Sequence, residues 1–156
     1  MIIAGIDPGQ KGGIASICPD GAATGRPMPL SGKEIDGRAV AHCLVELSPT
    51  LVIIEKVASR PGQGVASMFK FGMGYGLLIG ICDALGLHYR LVTPQAWKRA
   101  VLSGTAKDKS AAVNFARRAY PDIDLSPGRL RVPHDGIADA VCLAEYGRQI
   151  MARGAA

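Results

Sequence analysis

The chain has 156 residues, of which 48% are hydrophobic and 20% are charged. These proportions are typical of a globular protein and exclude a chain that is disordered throughout. At this length we expect residues 1–156 to form a single domain with its own core. Lys and Arg number 18 against 13 Asp and Glu, a net charge of +5, and such a balance favours a polyanionic partner such as nucleic acid.

The cysteines and the longest apolar stretch both indicate a cytoplasmic protein. Cys18, Cys43, Cys82 and Cys142 stand singly, with no Cys-x-x-Cys spacing and no preceding signal peptide, which favours reduced thiols over zinc ligands or disulfides. The apolar stretch 71–87 is interrupted by Asp83 and is shorter than the roughly 20 residues of a membrane span. We therefore expect a buried helix there and no membrane partner.

The first third of the chain predicts three strands and a helix. Residues 2–7 and 12–18 are apolar and β-branched around a Pro-Gly turn, which predicts an antiparallel hairpin. A third strand is expected near 22–29. Residues 31–46 have helical spacing. The residues expected on the buried side of that helix are Ile35, Val40, Leu44 and Val45.

The rest of the chain alternates predicted strands and helices. Such an order, after an antiparallel start, predicts a mixed sheet with parallel crossovers and helices packed on it. The expected elements are a strand at 51–55, a loop at 58–63, a helix at 65–85, a strand at 88–92, a helix from 93 to 104, a helix at 107–119, a loop at 121–133 and a last helix from 134 or 135 to 153.

Four acidic residues stand at the ends of these predicted elements. Asp7 and Glu55 each end a strand, and parallel neighbouring strands place their carboxyl ends side by side. Asp135 and Asp139 are four residues apart on the last helix and therefore share one face. Carboxylate oxygens are the ligands of Mg²⁺ or Mn²⁺ rather than of zinc. The pattern predicts a metal site.

Each of these residues also has a simpler explanation. Asp7 can begin an Asp-Pro-Gly turn, Glu55 can form an ion pair with Lys56 or Lys98, and Asp135 can cap the last helix. Four such coincidences in this order of elements are improbable together. Two ions about 3.5–4 Å apart would activate a water molecule and stabilise the oxygen that leaves phosphorus.

Basic residues are concentrated in the second half of the chain. Between positions 98 and 131 there are eight Lys or Arg and three Asp. The simpler interpretation is a solvated helix face; the functional one is a surface for a polyanion. The basic residues are Lys98, Arg99, Lys107, Lys109, Arg117, Arg118, Arg129 and Arg131.

Four segments in order resemble RuvC-type Holliday junction resolvases of the RNase H-like superfamily. They are GIDPGQKGG, VIIEKV, VTPQAWKRAVLSGTAKDKSAA and DGIADAVCLAEYG, and they span nearly the whole chain. The segment RPGQGVASMFKFGMGYG is more similar to short RuvC-like proteins of phages and prophages. The resemblance implies a five-stranded mixed α/β sheet flanked by helices, a homodimer, and two Mg²⁺ (or Mn²⁺) ions per active site.

The resemblance also implies roles for individual residues. Asp7, Glu55 and Asp139 match the family's metal ligands, and Lys109 matches a lysine that stabilises the scissile phosphate. The residues expected along the DNA are Arg60, Gln63, Lys70, Lys98, Lys107 and Lys109.

Two positions depart from the family pattern. The last two ligands of the family are three residues apart, whereas Asp135 and Asp139 are four apart, so the fourth ligand is either Asp135, which carboxylate chemistry favours, or His134. His134 is alternatively a structural group beside the helix start, or one that helps to activate water. Ala58 stands where the family often has an aromatic wedge, so junction opening would depend on residues 60–63 or on Met68 and Phe69.

We therefore expect a metal-dependent endonuclease that resolves four-way or other branched DNA by paired phosphodiester hydrolysis leaving 5′-phosphates. Two alternatives remain open. One is a catalytically weak junction-binding protein, which the spacing of Asp135 and Asp139 allows. The other is an RNase H-like ATPase relative, although 156 residues leave no room for the second lobe that would enclose a nucleotide.

Overall fold

The computed structural model describes residues 1–58, 62, 64–104 and 110–154, which form seven strands and five helices. The strands are β1 (Ile3–Asp7), β2 (Gly13–Ile17), β3 (Ala23–Pro27), β4 (Leu30–Ser31), β5 (Glu34–Ile35), β6 (Leu51–Glu55) and β7 (Tyr89–Val92). The helices are α1 (Gly37–Leu47), α2 (Val65–Ala84), α3 (Pro94–Val101), α4 (Ala111–Ala119) and α5 (Asp135–Gly154).

Five of the strands form one mixed sheet in the order β3-β2-β1-β6-β7. β1 and β3 both pair antiparallel with β2, whereas β6 pairs parallel with β1 and with β7. Antiparallel neighbours are joined by short turns, and the parallel ones by helical crossovers, as strand direction requires. The predicted α/β fold, with its antiparallel N-terminal meander and parallel strands, is confirmed.

The two faces of the sheet support separate hydrophobic cores. Side chains alternate between faces along a strand, so Ile3 and Ile53 enter the core beneath α3, α4 and α5, and Ile6 and Ile54 enter the core beneath α1 and α2. All four side chains are essentially inaccessible to solvent. This explains why β1 and β6 are continuous apolar runs rather than alternating ones.

Two glycines allow α5 to lie directly on the sheet. A Cβ added at Gly5 would stand only 2.0 Å from the carbonyl oxygen of Ala140, and one added at Gly147 would stand 2.7 Å from Cγ1 of Ile53. Neither position has room for a side chain, because backbone or packed side chains occupy the space. The close approach fixes the height of α5 above β1 and therefore the position of its first turn.

The predicted start of the first helix was wrong. Residues 30–35 form the small β4–β5 hairpin, turning at Gly32, whose φ is +62°. The helix α1 begins at Gly37, after Asp36, whose side chain accepts a hydrogen bond from the Ala39 N–H. This cap supplies an acceptor that Ser31 cannot supply from the hairpin. Consequently Ile35 lies in a strand, and Val45, which we expected to be buried, is 57% exposed.

The expectation that the apolar stretch of α2 forms a buried helix was also wrong. Only Leu78, Ile81 and Cys82 of its twenty residues are buried. Within the described residues, α2 is the one helix long and apolar enough, by length and composition, to cross a membrane. Apolar composition had suggested burial, but in the isolated chain most of the helix surface faces outward.

Candidate metal centre and nucleic-acid interface

The carboxyl ends of β1 and β6 bring Asp7 and Glu55 together. Ile6 pairs with Ile54 across the parallel ladder, and the two acidic residues follow directly in the chain. By alternation, Asp7 lies on the same face as Ile3 and Glu55 on the same face as Ile53. Both carboxylates therefore project toward the α3 and α5 side of the sheet, where Ile3 and Ile53 are packed.

Contact between α5 and the β1–β2 turn brings the remaining acidic residues to the same edge. Gly12 forms a β-bridge with Gly136, in the first turn of α5. A Cβ at Gly136 would lie 2.3 Å from the Lys11 carbonyl oxygen, so only glycine permits this approach. Because α5 starts at Asp135, both Asp135 and Asp139 stand in the turns nearest the strand ends.

Burial and neighbouring charges raise the pKa of two of these carboxyl groups, those of Asp7 and Asp139. Burial raises the pKa of Asp7 to about 8, with further contributions from the negative charges of Asp139 and Glu55. Burial likewise raises the pKa of Asp139 to about 6; the Lys98 ammonium opposes this, and Glu55 and Asp135 add to it. Glu55, Asp135 and Asp139 each act on Asp7 or on Asp139, so the predicted acidic residues lie within electrostatic reach of this pair.

The described residues do not, however, form a ready-made coordination shell. No three His, Cys, Asp or Glu side chains among them stand close enough together to hold a metal ion. The chemistry of the cluster still fits a hard divalent cation, because its donors are carboxylate oxygens. A cation would also offset the neighbouring negative charges that, in addition to burial, raise the pKa of Asp7 and Asp139. The cluster is therefore a candidate site whose carboxylates would have to draw closer around an ion.

A buried tryptophan holds Glu55. The indole Nε1–H of Trp97 donates a 2.8 Å hydrogen bond to Oε2 of Glu55, and the Trp97 side chain is fully buried. Nζ of Lys98 lies 5.1 Å from the centroid of the same indole ring, a cation–π contact. α3 thus supplies both a hydrogen-bond donor and a positive charge to the carboxylate cluster. No local pattern predicts this contact, because Trp97 and Glu55 are 42 positions apart.

His134 caps α5. Its Nδ1 accepts a hydrogen bond of 3.3 Å from the Ile137 N–H, and its carbonyl oxygen accepts from Ile137 and Ala138. These contacts correspond to the structural role expected for a histidine beside a helix start. Asp135, whose charge acts on Asp139, is the better candidate for the fourth ligand, since Nδ1 of His134 is engaged in the cap.

A cavity of about 640 Å³ opens beside Asp7, between α2, the β1–β2 turn and the β4–β5 hairpin. Lys11, Lys33 and Lys70 line it together with Asp7. Lys70 was predicted to line the DNA path, and the structure places it near the acidic cluster. Lys11 and Lys33 were not singled out from the sequence, because the hairpin that brings Lys33 here was not predicted.

The remaining predicted site residues fall into two groups. Ala58 is exposed, just after the strand that ends at Glu55. The other predicted DNA contacts and the helper lysine lie outside the described residues, as does the predicted start of the fourth helix. These contacts are Arg60, Gln63, Lys107 and Lys109.

No protein-family model and no curated protein matches the sequence, but solved structures match its fold. RuvC of Thermus thermophilus in complex with a Holliday junction substrate superposes with a TM-score of 0.74 at 20% identity, over 99% of this chain and 96% of that one. Another structure of Thermus thermophilus RuvC gives a TM-score of 0.66 at 22% identity, over 99% and 97%.

A eukaryotic resolvase has the same architecture. The yeast mitochondrial Holliday junction resolvase gives a TM-score of 0.61 at 16% identity, over 97% of this chain and 79% of that one. The fold is therefore that of RuvC-type resolvases along nearly the whole chain, in agreement with the family that the sequence motifs resemble. At these sequence identities the likeness establishes the fold alone, so any chemical activity has to be argued from the residues of the site.

Proposed function

We propose that the protein is a metal-dependent endonuclease that cuts four-way or other branched DNA by phosphodiester hydrolysis. The main support is the cluster of Asp7 and Glu55, at the carboxyl ends of two parallel strands, with Asp139 of α5, because the charges of Glu55 and Asp139 both act on Asp7. The RuvC-like fold adds weight, because the compared structures include one bound to a Holliday junction.

Asp7, Glu55, Asp135 and Asp139 would hold Mg²⁺ or Mn²⁺, two ions in the full site. Bound there, the metal would supply an activated water and charge stabilisation at the phosphate. Trp97 orients Glu55 through its hydrogen bond, and α5 carries the two aspartates to the strand ends. Hydrolysis of this kind leaves 5′-phosphates.

Lysines beside the acidic cluster define the path of the DNA backbone. Lys98 lies close enough to Asp7 and Asp139 that its positive charge opposes the rise in the pKa of both, and Lys70 lines the adjoining cavity. Both are exposed, so their charges are available to phosphates. In this proposal Arg60, Gln63, Lys107 and the helper Lys109 complete the path.

We further infer a homodimer formed through the outer side of α2. Val65, Phe69 and Met73 follow one another at four-residue intervals and are 85%, 67% and 45% exposed. Beside this ridge runs a groove of Gly72, Gly76 and Gly80, and a Cβ at any of them would meet nothing within 4 Å. A ridge next to a groove suits a second copy of the same helix.

A second copy is the fitting occupant because a four-way junction presents two equivalent strands to be cut, one for each subunit. The same interface would cover the apolar surface of α2 with protein rather than lipid. The protein would then act in the cytoplasm of a bacterial cell. The sequence likeness to short RuvC-like proteins favours a phage or prophage origin.

Cleavage of synthetic DNA tests the proposed function. Four-way, three-way and linear duplex substrates, labelled on each strand, are incubated with the protein in Mg²⁺ or in EDTA. We expect paired nicks near the branch point in Mg²⁺, none in EDTA, and none with Asp7→Asn. Cleavage by Asp7→Asn at the wild-type rate would contradict the assignment of the metal site.

A junction-binding protein with weak catalysis is the second candidate. The observation in its favour is that no three potential ligands among the described residues stand at coordination distance. The same assay separates the two functions, because a binding protein would shift the four-way junction in a gel without nicking it at any Mg²⁺ concentration. If the protein binds neither the four-way nor the three-way junction in preference to linear duplex, both candidate functions are excluded.

A further inference from the structure

The cavity beside Asp7 is enclosed by three elements that contact one another, namely α2, the β1–β2 turn and the β4–β5 hairpin. Ile35 of the β4–β5 hairpin packs directly on α2, since a Cβ at Gly74 would lie 2.9 Å from Cδ1 of Ile35. The Gln10 side chain donates a hydrogen bond to the Lys33 carbonyl oxygen and ties the hairpin to the β1–β2 turn. The cavity is therefore part of the fold and not a gap between loose loops.

The lining combines an apolar floor with a basic rim. Ile35, Phe71 and Leu77 contribute apolar surface, whereas three lysines and two carboxylates contribute charge. The charged residues are Lys11, Lys33, Lys70, Asp7 and Glu34. The positive excess selects a ligand with an anionic group, and the apolar floor selects one that also has an uncharged, preferably flat, part.

Phe71 lies where this cavity meets the β1–β2 turn. Its ring reaches the turn that follows β1, because a Cβ at Gly9 would lie 3.4 Å from Cε2 of Phe71. The residue is only partly buried, so the ring offers surface to a ligand. An aromatic side chain and Asp7 thus line one cavity of about 640 Å³, within the size range of small-ligand sites.

We propose that this cavity takes one unpaired nucleotide of the cleaved DNA strand, with its base against Phe71 and its phosphate toward Lys33 and Lys70. The inference rests on the proposed function and adds a substrate feature to the same site. The nucleotide must be unpaired, because a base inside a duplex is stacked and cannot enter a cavity between a helix and a hairpin. Branched DNA supplies such a base at the point where strands separate.

The test combines a protein change with a DNA change. Phe71→Leu keeps apolar volume but removes the aromatic face, and a set of four-way junctions carries one abasic position at a time around the branch point. Binding of the full chain is measured in EDTA, so that the strands stay intact. With the complete junction, Phe71→Leu should weaken binding about fivefold or more, the size expected for one lost base–aromatic stack.

At one strand position, removal of the base should weaken wild-type binding by a similar factor and leave Phe71→Leu with no further loss. Such non-additivity identifies a direct partner. Effects that add at every position, with junction binding otherwise intact, would overturn the nucleotide site and leave the proposed function standing. If the wild-type protein binds the junction no more tightly than linear duplex, the proposed function itself is contradicted.

A charge pair provides the matched control. Lys33→Ala removes a lysine of the rim, whereas Arg38→Ala removes an exposed positive charge from α1, outside the cavity lining. We expect Lys33→Ala alone to weaken binding of the complete junction, with a smaller effect when the identified position is abasic. Equal effects of Lys33→Ala and Arg38→Ala would refute the proposal. It would also be refuted if Phe71→Leu changed the sedimentation of the protein, because a second copy would then be filling the cavity.

Discussion

At the residue scale, Asp7 is a carboxyl group whose pKa is changed strongly by its surroundings. Burial and the nearby charges of Asp139 and Glu55 raise its pKa to about 8. A carboxyl of this kind is stable as the neutral acid, so ionising it at neutral pH works against folding when no cation compensates. The ionised form of Asp7, which a metal site needs, therefore lowers the folding stability of the protein when no cation is bound.

This cost predicts the pH dependence of stability. The contribution of Asp7 is fully favourable below its ordinary pKa of 3.8 and is lost as the pH rises through about 8. In EDTA, Asp7→Asn should be more stable than the wild type at pH 8, by about 1–3 kcal/mol, with a gap that narrows toward pH 4. Urea unfolding across this range measures it.

Asp122→Asn, at an exposed site, is the control and should follow the wild-type curve. A constant difference between Asp7→Asn and the wild type from pH 4 to 8 would show that Asp7 is not held in its neutral form.

The Trp97–Glu55 hydrogen bond is a second contact at the residue scale that predicts a measurable effect. Trp97→Phe removes the indole N–H that donates to Oε2 of Glu55. Groups that orient a metal ligand typically change metal affinity by about 10–100-fold when they are removed. We expect Mn²⁺ binding, measured by calorimetry, to weaken about tenfold.

Tyr120→Phe is a matched control. Its hydroxyl donates a 2.7 Å hydrogen bond to Glu145, a buried carboxylate that takes no part in the proposed site. Both variants lose a donor to a carboxylate and some thermal stability, but only Trp97→Phe should weaken Mn²⁺ binding. Equal Mn²⁺ affinity in the two variants would contradict a positioning role for Trp97.

At the element scale, α2 is the least expected part of the molecule. Its apolar residues fail to define a buried side, because glycines at every fourth position interrupt one face and the ridge of Val65, Phe69 and Met73 points outward. Apolar side chains exposed in such a row are typical of a surface that another protein covers. This exposed row is the surface through which the proposed homodimer would form.

The glycine groove provides the test of this interface. We expect Gly76→Arg to leave the isolated fold intact, since a Cβ there meets nothing within 4 Å, and to block close approach of a second helix. Sedimentation velocity should show a dimer for the wild type and a monomer for Gly76→Arg. Ala84→Arg, at the exposed end of α2, adds the same charge and should remain dimeric; a dimer in both variants would place the interface elsewhere.

At the scale of the whole molecule, the charged residues form two groups, the carboxylates proposed to hold a cation and the lysines proposed to contact the DNA backbone. Four acidic residues lie at the ends of β1 and β6 and in the first turns of α5, and lysines lie beside that edge of the sheet. Lys98 acts directly on the acidic cluster, and the cavity beside Asp7 adds three more lysines. In the proposed function, this arrangement would draw the DNA backbone to the edge where a cation would be held.

Salt dependence measures how many phosphates this edge contacts. Affinity for a four-way junction in EDTA should fall at least tenfold between about 50 and 200 mM NaCl, as counterions are released on binding. Lys98→Ala should reduce the slope of log K against log salt by about one unit. Arg153→Ala, at the far end of α5, should leave it unchanged; the same reduction in both would mean that net charge, not this edge, governs binding.

The sequence by itself determined the order along the chain of the five strands of the main sheet, the mixed character of that sheet, and the placement of Asp7 and Glu55 at strand ends. Local periodicity carries this information, because alternation and apolar runs follow directly from the geometry of a strand. It also placed Asp135 and Asp139 on one face of the last helix. The likeness to RuvC-type folds agrees with that order of elements.

Tertiary structure alone decided the rest. The bond between Trp97 and Glu55 joins residues 42 positions apart, and the contact of Gly136 with the Lys11 carbonyl depends on how α5 meets the β1–β2 turn. Neither has a local pattern, since both arise from the packing of finished elements on each other. The exposure of α2 was decided in the same way: composition predicts that an apolar surface will be covered, but only the packed fold shows whether the chain covers it itself.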